Sequence, residues 1–252
     1  MHDQLKSIGF AIAMCLVCGM LLTTAATALQ EIQEKNQVND RRKNILLAVD
    51  LVSREKTYTP DEISGLYQAY ISKMRVSPDG DIVAPGMAAP GQQTMPIYLY
   101  TRGAEIRSYI IPIESQGLWG KIYAYMALEN DGSTIAGFTV YKHSETPGLG
   151  GEIDTQWFQE KFEGKRIVDK QGNFVSVGIA KGDVEQRVPE TQQPHYVDGI
   201  SGATLTGSYL SQGLKKSLAQ YEPLSLSFRK NSLKCRMQEA QPWCETDETE
   251  QN

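Results

Sequence analysis

The hydrophobic pattern changes character along this chain. From Ile8 through Leu22 no charged residue interrupts an almost wholly apolar run, and Thr23, Thr24 and Thr27, whose hydroxyls can hydrogen-bond back inside a helix, carry it on to Leu29. These 22 residues predict a single transmembrane helix over 8–29. Lys6 and the terminal amine precede the span and Glu31 and Glu34 follow it, so the positive-inside bias keeps residues 1–7 in the cytoplasm and sends the rest across the membrane. A cleavable signal peptide ending at the small-x-small Ala26-Thr27-Ala28 is the alternative, and it exports the remainder equally.

Over 30–76 the period becomes helical. Ile45, Leu46, Val49 and Val52 form an apolar stripe, Arg41, Arg42 and Lys43 a solvated basic face, and Thr59 is placed to cap a second short helix beginning at Pro60. This is a membrane-proximal helical segment, a stalk. The prolines and glycines from Ser77 to Pro96 predict an irregular connection and a boundary, after which a main domain runs over 77–230. There the period shortens to two. Strands are expected at Ile97–Tyr100, Ser108–Ile113, Lys121–Leu128 and Ile135–Tyr141, the last two joined by Asn130-Asp131-Gly132. A short helix with Trp157, Phe158 and Phe162 buried ends at Gly164, a strand covers Phe174–Ala180, a helix follows at Tyr209–Leu218, and Leu224–Phe228 alternates like a last strand. The fold class is therefore α+β: one transmembrane helix, a helical stalk, and a mixed, largely antiparallel sheet. The polar, acidic tail 231–252 has a composition that does not build a core.

Composition narrows the picture. The formal net charge of −5 gives no basic footprint for nucleic acid. The cysteines, Cys15 with Cys18 and Cys235 with Cys244, are too few for a disulfide framework, and a bridge between Cys235 and Cys244 is left open. His143 and His195 have no second ligand at metal spacing, so no metal site is assigned.

The candidate chemistry lies in loops. Asp198-Gly199-Ile200-Ser201-Gly202-Ala203-Thr204-Leu205-Thr206 sets hydroxyls around two residues with almost no side chain, just before a helical run. Gly202 can take positive φ, and the unpaired N–H groups of a helix start attract phosphate. Taken alone, such a string is also an ordinary turn and N-cap. Glu145-Thr146-Pro147-Gly148-Leu149-Gly150 is a second side-chain-poor loop, following a strand, where a planar ligand can approach the backbone; alone it is a Pro-Gly turn. Trp119, between Gly117-Leu118 and Gly120, either fills the core or faces a ring.

The Asp198–Thr206 string resembles the flavinylation motif of the FMN-binding domain found in the C subunit of the Na+-translocating NADH:quinone oxidoreductase and in the related G subunit of the Rnf electron-transport complex. E-T-P-G-L-G and the G-L-W-G loop are similar to further signatures of that family, in the right order. The resemblance implies FMN joined by a phosphoester to Thr204, with Trp119, Glu145, Thr146, Gly148, Leu149, Ser201, Gly202, Ala203, Leu205 and Thr206 as cofactor-binding neighbours. Lys181, in a turn like the family's K-G-G except for Asp183, either reaches the phosphate or is simply solvated. Asp198 and Gly199 complete the motif, Asp198 as a group that places or deprotonates the hydroxyl. It also implies attachment by a separate FAD-dependent flavin transferase, a place in the bacterial inner membrane with the bulk of the chain periplasmic, and partner subunits that pass NADH-derived electrons through this FMN toward quinone while Na+ is exported. The N-terminal span, the stalk and the G-L-W-G loop favour the first of these two families over the Rnf one. An anchored, non-catalytic binding domain is the alternative of another class.

Overall fold

The computed structural model describes residues 2–84, 93–103 and 105–230; Cys235 and Cys244 lie outside the described residues. Helix α1 is continuous over His2–Leu47, and its stretch from Lys6 is long and apolar enough to cross a membrane, with none of its apolar window buried inside the fold. The hydroxyls of Thr23, Thr24 and Thr27 donate to the carbonyls four residues back at 2.7, 2.8 and 2.9 Å, so they present no unpaired donor to lipid. One such N-terminal helix is consistent with a single-pass membrane anchor.

The chain divides into two compact units between Arg41 and Arg42. The second unit begins with the end of α1 and with α2 (Pro60–Tyr70), where Thr59 forms a capping box with Glu62, as the Thr-Pro-Asp-Glu string predicts. Strands β1 (Ile71–Val76), β2 (Ile82–Val83), β3 (Met95–Arg102), β4 (Glu105–Gln116), β5 (Lys121–Glu129) and β6 (Ile135–Lys142) form one antiparallel sheet in the order β2-β1-β3-β4-β5-β6.

The sheet is buried on both faces, and the strand period decides which residue goes where. Tyr109, Ile111 and Ile113 of β4 and Ala124, Met126 and Leu128 of β5 point into the main core with the aromatics and the C-terminal helix; Ile110, Tyr125 and Ala127 point the other way, onto Ile45, Leu46, Ala48, Val52 and Ile63. Gly137 in β6 lets the Ala48 backbone approach where a Cβ would collide with its carbonyl oxygen. Beyond β6 come α3 (Gln156–Gln159), which runs on as a 3₁₀ turn to Phe162, then β7 (Gly178–Ile179), α4 (Val184–Arg187), β8 (Tyr196–Val197), parallel to β7, and the long helix α5 (Thr204–Arg229).

Several expectations are corrected. Ile71–Val76, placed in the helical stalk, is a strand hydrogen-bonded to β2 and β3, so no boundary falls at 76/77, and the expected connection contains β2 and the start of β3. Of Phe174–Ala180 only Gly178–Ile179 is strand. Ser176 takes φ 73°, and the N–H groups of Val175 and Ser176 both donate to the Ile167 carbonyl, which breaks the ladder. Leu224–Phe228 is helical: the same residues that alternate also continue the stripe Tyr221, Leu224, Ser225, Phe228 at helical spacing, and Phe228 stacks on Tyr109 at 4.4 Å between ring centroids. Trp157 is not core; it stands at the surface with Lys161 Nζ over its ring at 5.4 Å.

Candidate functional site

The site is built where α5 begins. The Ala203 N–H donates to the Ile200 carbonyl at 3.1 Å, closing a turn whose third residue, Gly202, has φ +73°. A left-handed glycine is what that turn requires, and a Cβ there would also come within 2.8 Å of Leu149 Cδ2. Thr204 is then the first residue of a 26-residue helix whose cap position is Ala203, with no side chain to bond the first-turn N–H groups. Those donors and the positive end of the helix dipole are left for another acceptor. The Thr204 side chain is exposed and lines an open cleft of about 580 Å³.

Lys181, Gly178, Ala180, Tyr196, His195 and Gly199 form other parts of that cleft. Sequence reasoning misses its helical floor: Thr204, Gly207, Ser208, Ser211 and Lys215 share one face of α5. The signal is present as a small, polar stripe alongside the buried Leu210, Leu214 and Leu218. Ser211 is fixed there, accepting the Ile179 N–H at 2.9 Å and donating to the Gly207 carbonyl at 2.8 Å. Lys181 and Lys215 thus bring two cations to the cleft that holds Thr204. Asp183, which departs from the K-G-G pattern, caps α4 by accepting the Glu185 N–H at 3.0 Å.

The glycine loops gather an apolar surface around the same turn. Trp119 is 69% exposed, Leu205 56% and Leu149 45%, so none is a core residue, and the core alternative for Trp119 falls. Thr146, Gly148 and Ser201 are exposed as well. Glu145 and Thr206 are not. Both are buried, and Thr206 Oγ1 donates to Glu145 Oε2 at 2.5 Å while the Trp119 N–H donates to Oε1 at 3.0 Å.

Asp198 is engaged by two partners away from the first turn of α5. Its Oδ2 accepts from Lys161 Nζ at 2.6 Å and its Oδ1 from the Val184 N–H at 2.8 Å, and these bonds, chiefly that from Lys161, hold its pKa below the ordinary aspartate value. A carboxylate so stabilised is a weak proton acceptor. Asp198 lines a separate hollow with Lys165, Glu190 and Tyr196; its work is to tie the loop before Gly199 to α4. No cluster of metal-ligating side chains occurs among the described residues.

Comparison with known proteins places this geometry. Residues 117–219, which hold the three loops and α5 as far as Ala219, match the FMN-binding domain family. The chain is 30% identical over 230 residues to the C subunit of the Na(+)-translocating NADH-quinone reductase of Vibrio vulnificus (strain YJ016), covering 81% of this chain and 86% of the relative. It is also 30% identical over 261 residues to the same protein of Yersinia pestis, covering 91% and 94%. Among solved structures, the corresponding protein of Parabacteroides distasonis ATCC 8503 aligns with a TM-score of 0.66 at 28% identity, over 78% of this chain and 96% of that one. Likeness of that extent in sequence and fold means that the chain belongs to the family of Na(+)-translocating NADH-quinone reductase C subunits.

Proposed function

We propose that this chain carries FMN as a phosphoester on Thr204 and serves as an electron-relaying member of a membrane-bound Na+-translocating NADH:quinone reductase. The observation that carries the reading is the start of α5: an exposed threonine hydroxyl on the first residue of a long helix, beside first-turn N–H groups that no side chain caps, in one cleft with Lys181 and Lys215. That donor set suits a phosphate monoanion held at a fixed point. Gly202 and Ala203 keep bulk away from the backbone there, Gly199 lets the Ala180 and Gly182 backbone close in behind, and the exposed Trp119, Leu149 and Leu205, with Thr146 and Gly148, offer apolar, side-chain-poor surface for a ring system.

The threonine hydroxyl is a weak nucleophile and the Asp198 carboxylate is engaged by Lys161, so the bond is made by a separate transferase. With FAD as donor, the Thr204 Oγ–phosphorus bond forms, the pyrophosphate linkage breaks, AMP leaves, and the hydroxyl proton passes to a base of the transferase. Once bound, the flavin supplies electron transfer; the chain supplies position, dielectric and an open edge for partner subunits. The domain stands on the periplasmic side of the inner membrane, with α1 as its anchor. Intact mass and in-gel fluorescence of protein from cells that contain the transferase test the reading. The native chain is expected to exceed its polypeptide mass by one FMN less water, with yellow fluorescence that survives denaturation; Thr204→Ala loses both and Thr206→Ala keeps both. A native chain of unmodified mass sinks the assignment.

A further inference from the structure

Glu145 joins all three loops. Its side chain is 5% exposed, yet it belongs to no ion pair among the described residues and satisfies its two oxygens with donors from different segments: Trp119 N–H on Oε1 and Thr206 Oγ1 on Oε2. Its own N–H donates to His143 Nδ1 at 3.1 Å, which fixes the end of β6 behind it. The space it occupies is kept by glycine. A Cβ on Gly117 would lie 2.6 Å from Oε1, and a Cβ on Gly150 would lie 2.9 Å from Oε2 and 2.5 Å from Thr206 Oγ1. An acid buried without a cation is tolerated only where its oxygens are bonded, so an arrangement that clears room on both sides of it holds those bonds for a purpose.

We propose that Glu145 is a positioning residue of the flavin site, acting through Trp119 and Thr206 rather than on the cofactor: it clamps the Gly117–Gly120 loop to the first turn of α5, so that the exposed Trp119 ring is held at a fixed place relative to Thr204. This rests on the assignment of FMN to Thr204. Thr204 and Thr206 are two residues apart, about 200° around a helix, so the hydroxyl that anchors the clamp faces away from the one that takes the cofactor. The same bond explains why two threonines so close are not equivalent acceptors. Thr206 is 2% exposed and its proton is already engaged, whereas Thr204 is open.

The test reads the flavin's surroundings, not turnover. A tryptophan ring in contact with an isoalloxazine quenches its emission, so the flavin of the native holoprotein is expected to fluoresce weakly and to brighten on denaturation, and Trp119→Phe brightens the native state. Thr206→Val, which keeps shape but removes the donor, is expected to carry a full complement of covalent flavin while its native emission rises toward that of Trp119→Phe; Thr206→Ser, which restores the hydroxyl, returns it to the wild-type level. Glu145→Gln is the second variant should Thr206→Val not fold. Its amide accepts one donor well, so it brightens in the same direction by a smaller factor. Wild-type emission in both Thr206→Val and Glu145→Gln, or in Trp119→Phe, overturns the inference. Absence of covalent flavin from the wild-type protein overturns the underlying assignment instead, and the two failures are told apart on the gel before any emission is measured.

Discussion

At the scale of single residues, the site separates groups that face a ligand from groups that hold the loops. Asp198 belongs to the second kind, and its behaviour with pH distinguishes it. Its folded pKa lies below the unfolded value because Lys161 and the Val184 N–H stabilise the charged form. The stabilisation is therefore fully present above the unfolded pKa, about 4, and disappears as pH falls through the lower folded value. Asp198→Asn is expected to lower the melting temperature by a few degrees at neutral pH, the half-buried pair with Lys161 being partly screened by solvent, and the difference from wild type should shrink steadily in melts taken at increasingly acid pH. A difference that persists unchanged in acid would mean that the side chain acts through shape and not through charge. Sequence alone points to Asp198 because it opens the motif. That its carboxylate is turned toward Lys161 depends on a contact 37 residues away, which no local pattern reveals.

At the scale of elements, α5 organises the domain, and how closely it lies on the sheet is set by a glycine. A Cβ on Gly213 would overlap the Ser115 side chain and come 2.7 Å from its Cα, while Ser115 Oγ donates to the Tyr209 carbonyl at 2.8 Å across the same contact. Gly213→Ala must push the helix off β4 or displace Ser115. It is expected to cost about 1–3 kcal/mol, read as a lower midpoint in denaturant with unchanged slope. A neutral result would show that helix and sheet are less tightly apposed than these distances require. The long strands are legible because their alternation coincides with burial: Tyr109, Ile111 and Ile113 go to one core and Ile110 to the other. Leu224–Phe228 misleads for the same reason, since Leu-Ser-Leu-Ser-Phe alternates and only the burial of Tyr221, Leu224 and Ser225 along one side reveals the helical period. The hydroxyl motif, by contrast, is legible in position but not in depth. Thr204 and Thr206 look alike in sequence, and it is the buried Glu145 that makes them different.

At the scale of the whole molecule, the division between Arg41 and Arg42 predicts where the anchor can be removed. The second unit does not begin where the apolar run ends, nor at a proline-rich connection, but inside α1, because Ile45, Leu46, Ala48 and Val52 are buried against Ile110, Tyr125 and Ala127, and Thr139 Oγ1 donates to the Asn44 carbonyl at 3.1 Å. A chain starting at Arg42 keeps all of these contacts. It is expected to be soluble without detergent, to melt as one cooperative unit, and to accept flavin from the transferase. A chain starting at Ser53 loses Ile45, Leu46 and Val52, each contributing about 1.5–3 kcal/mol by burial, a sum comparable with the roughly 5–15 kcal/mol that stabilises a whole domain. It also uncovers the second face of the sheet. The shorter chain is therefore expected to aggregate or to lack a cooperative transition, and circular dichroism melts of the two chains side by side provide the comparison. Equal stability would mean that the end of α1 is merely a linker and that the core on this face closes without it.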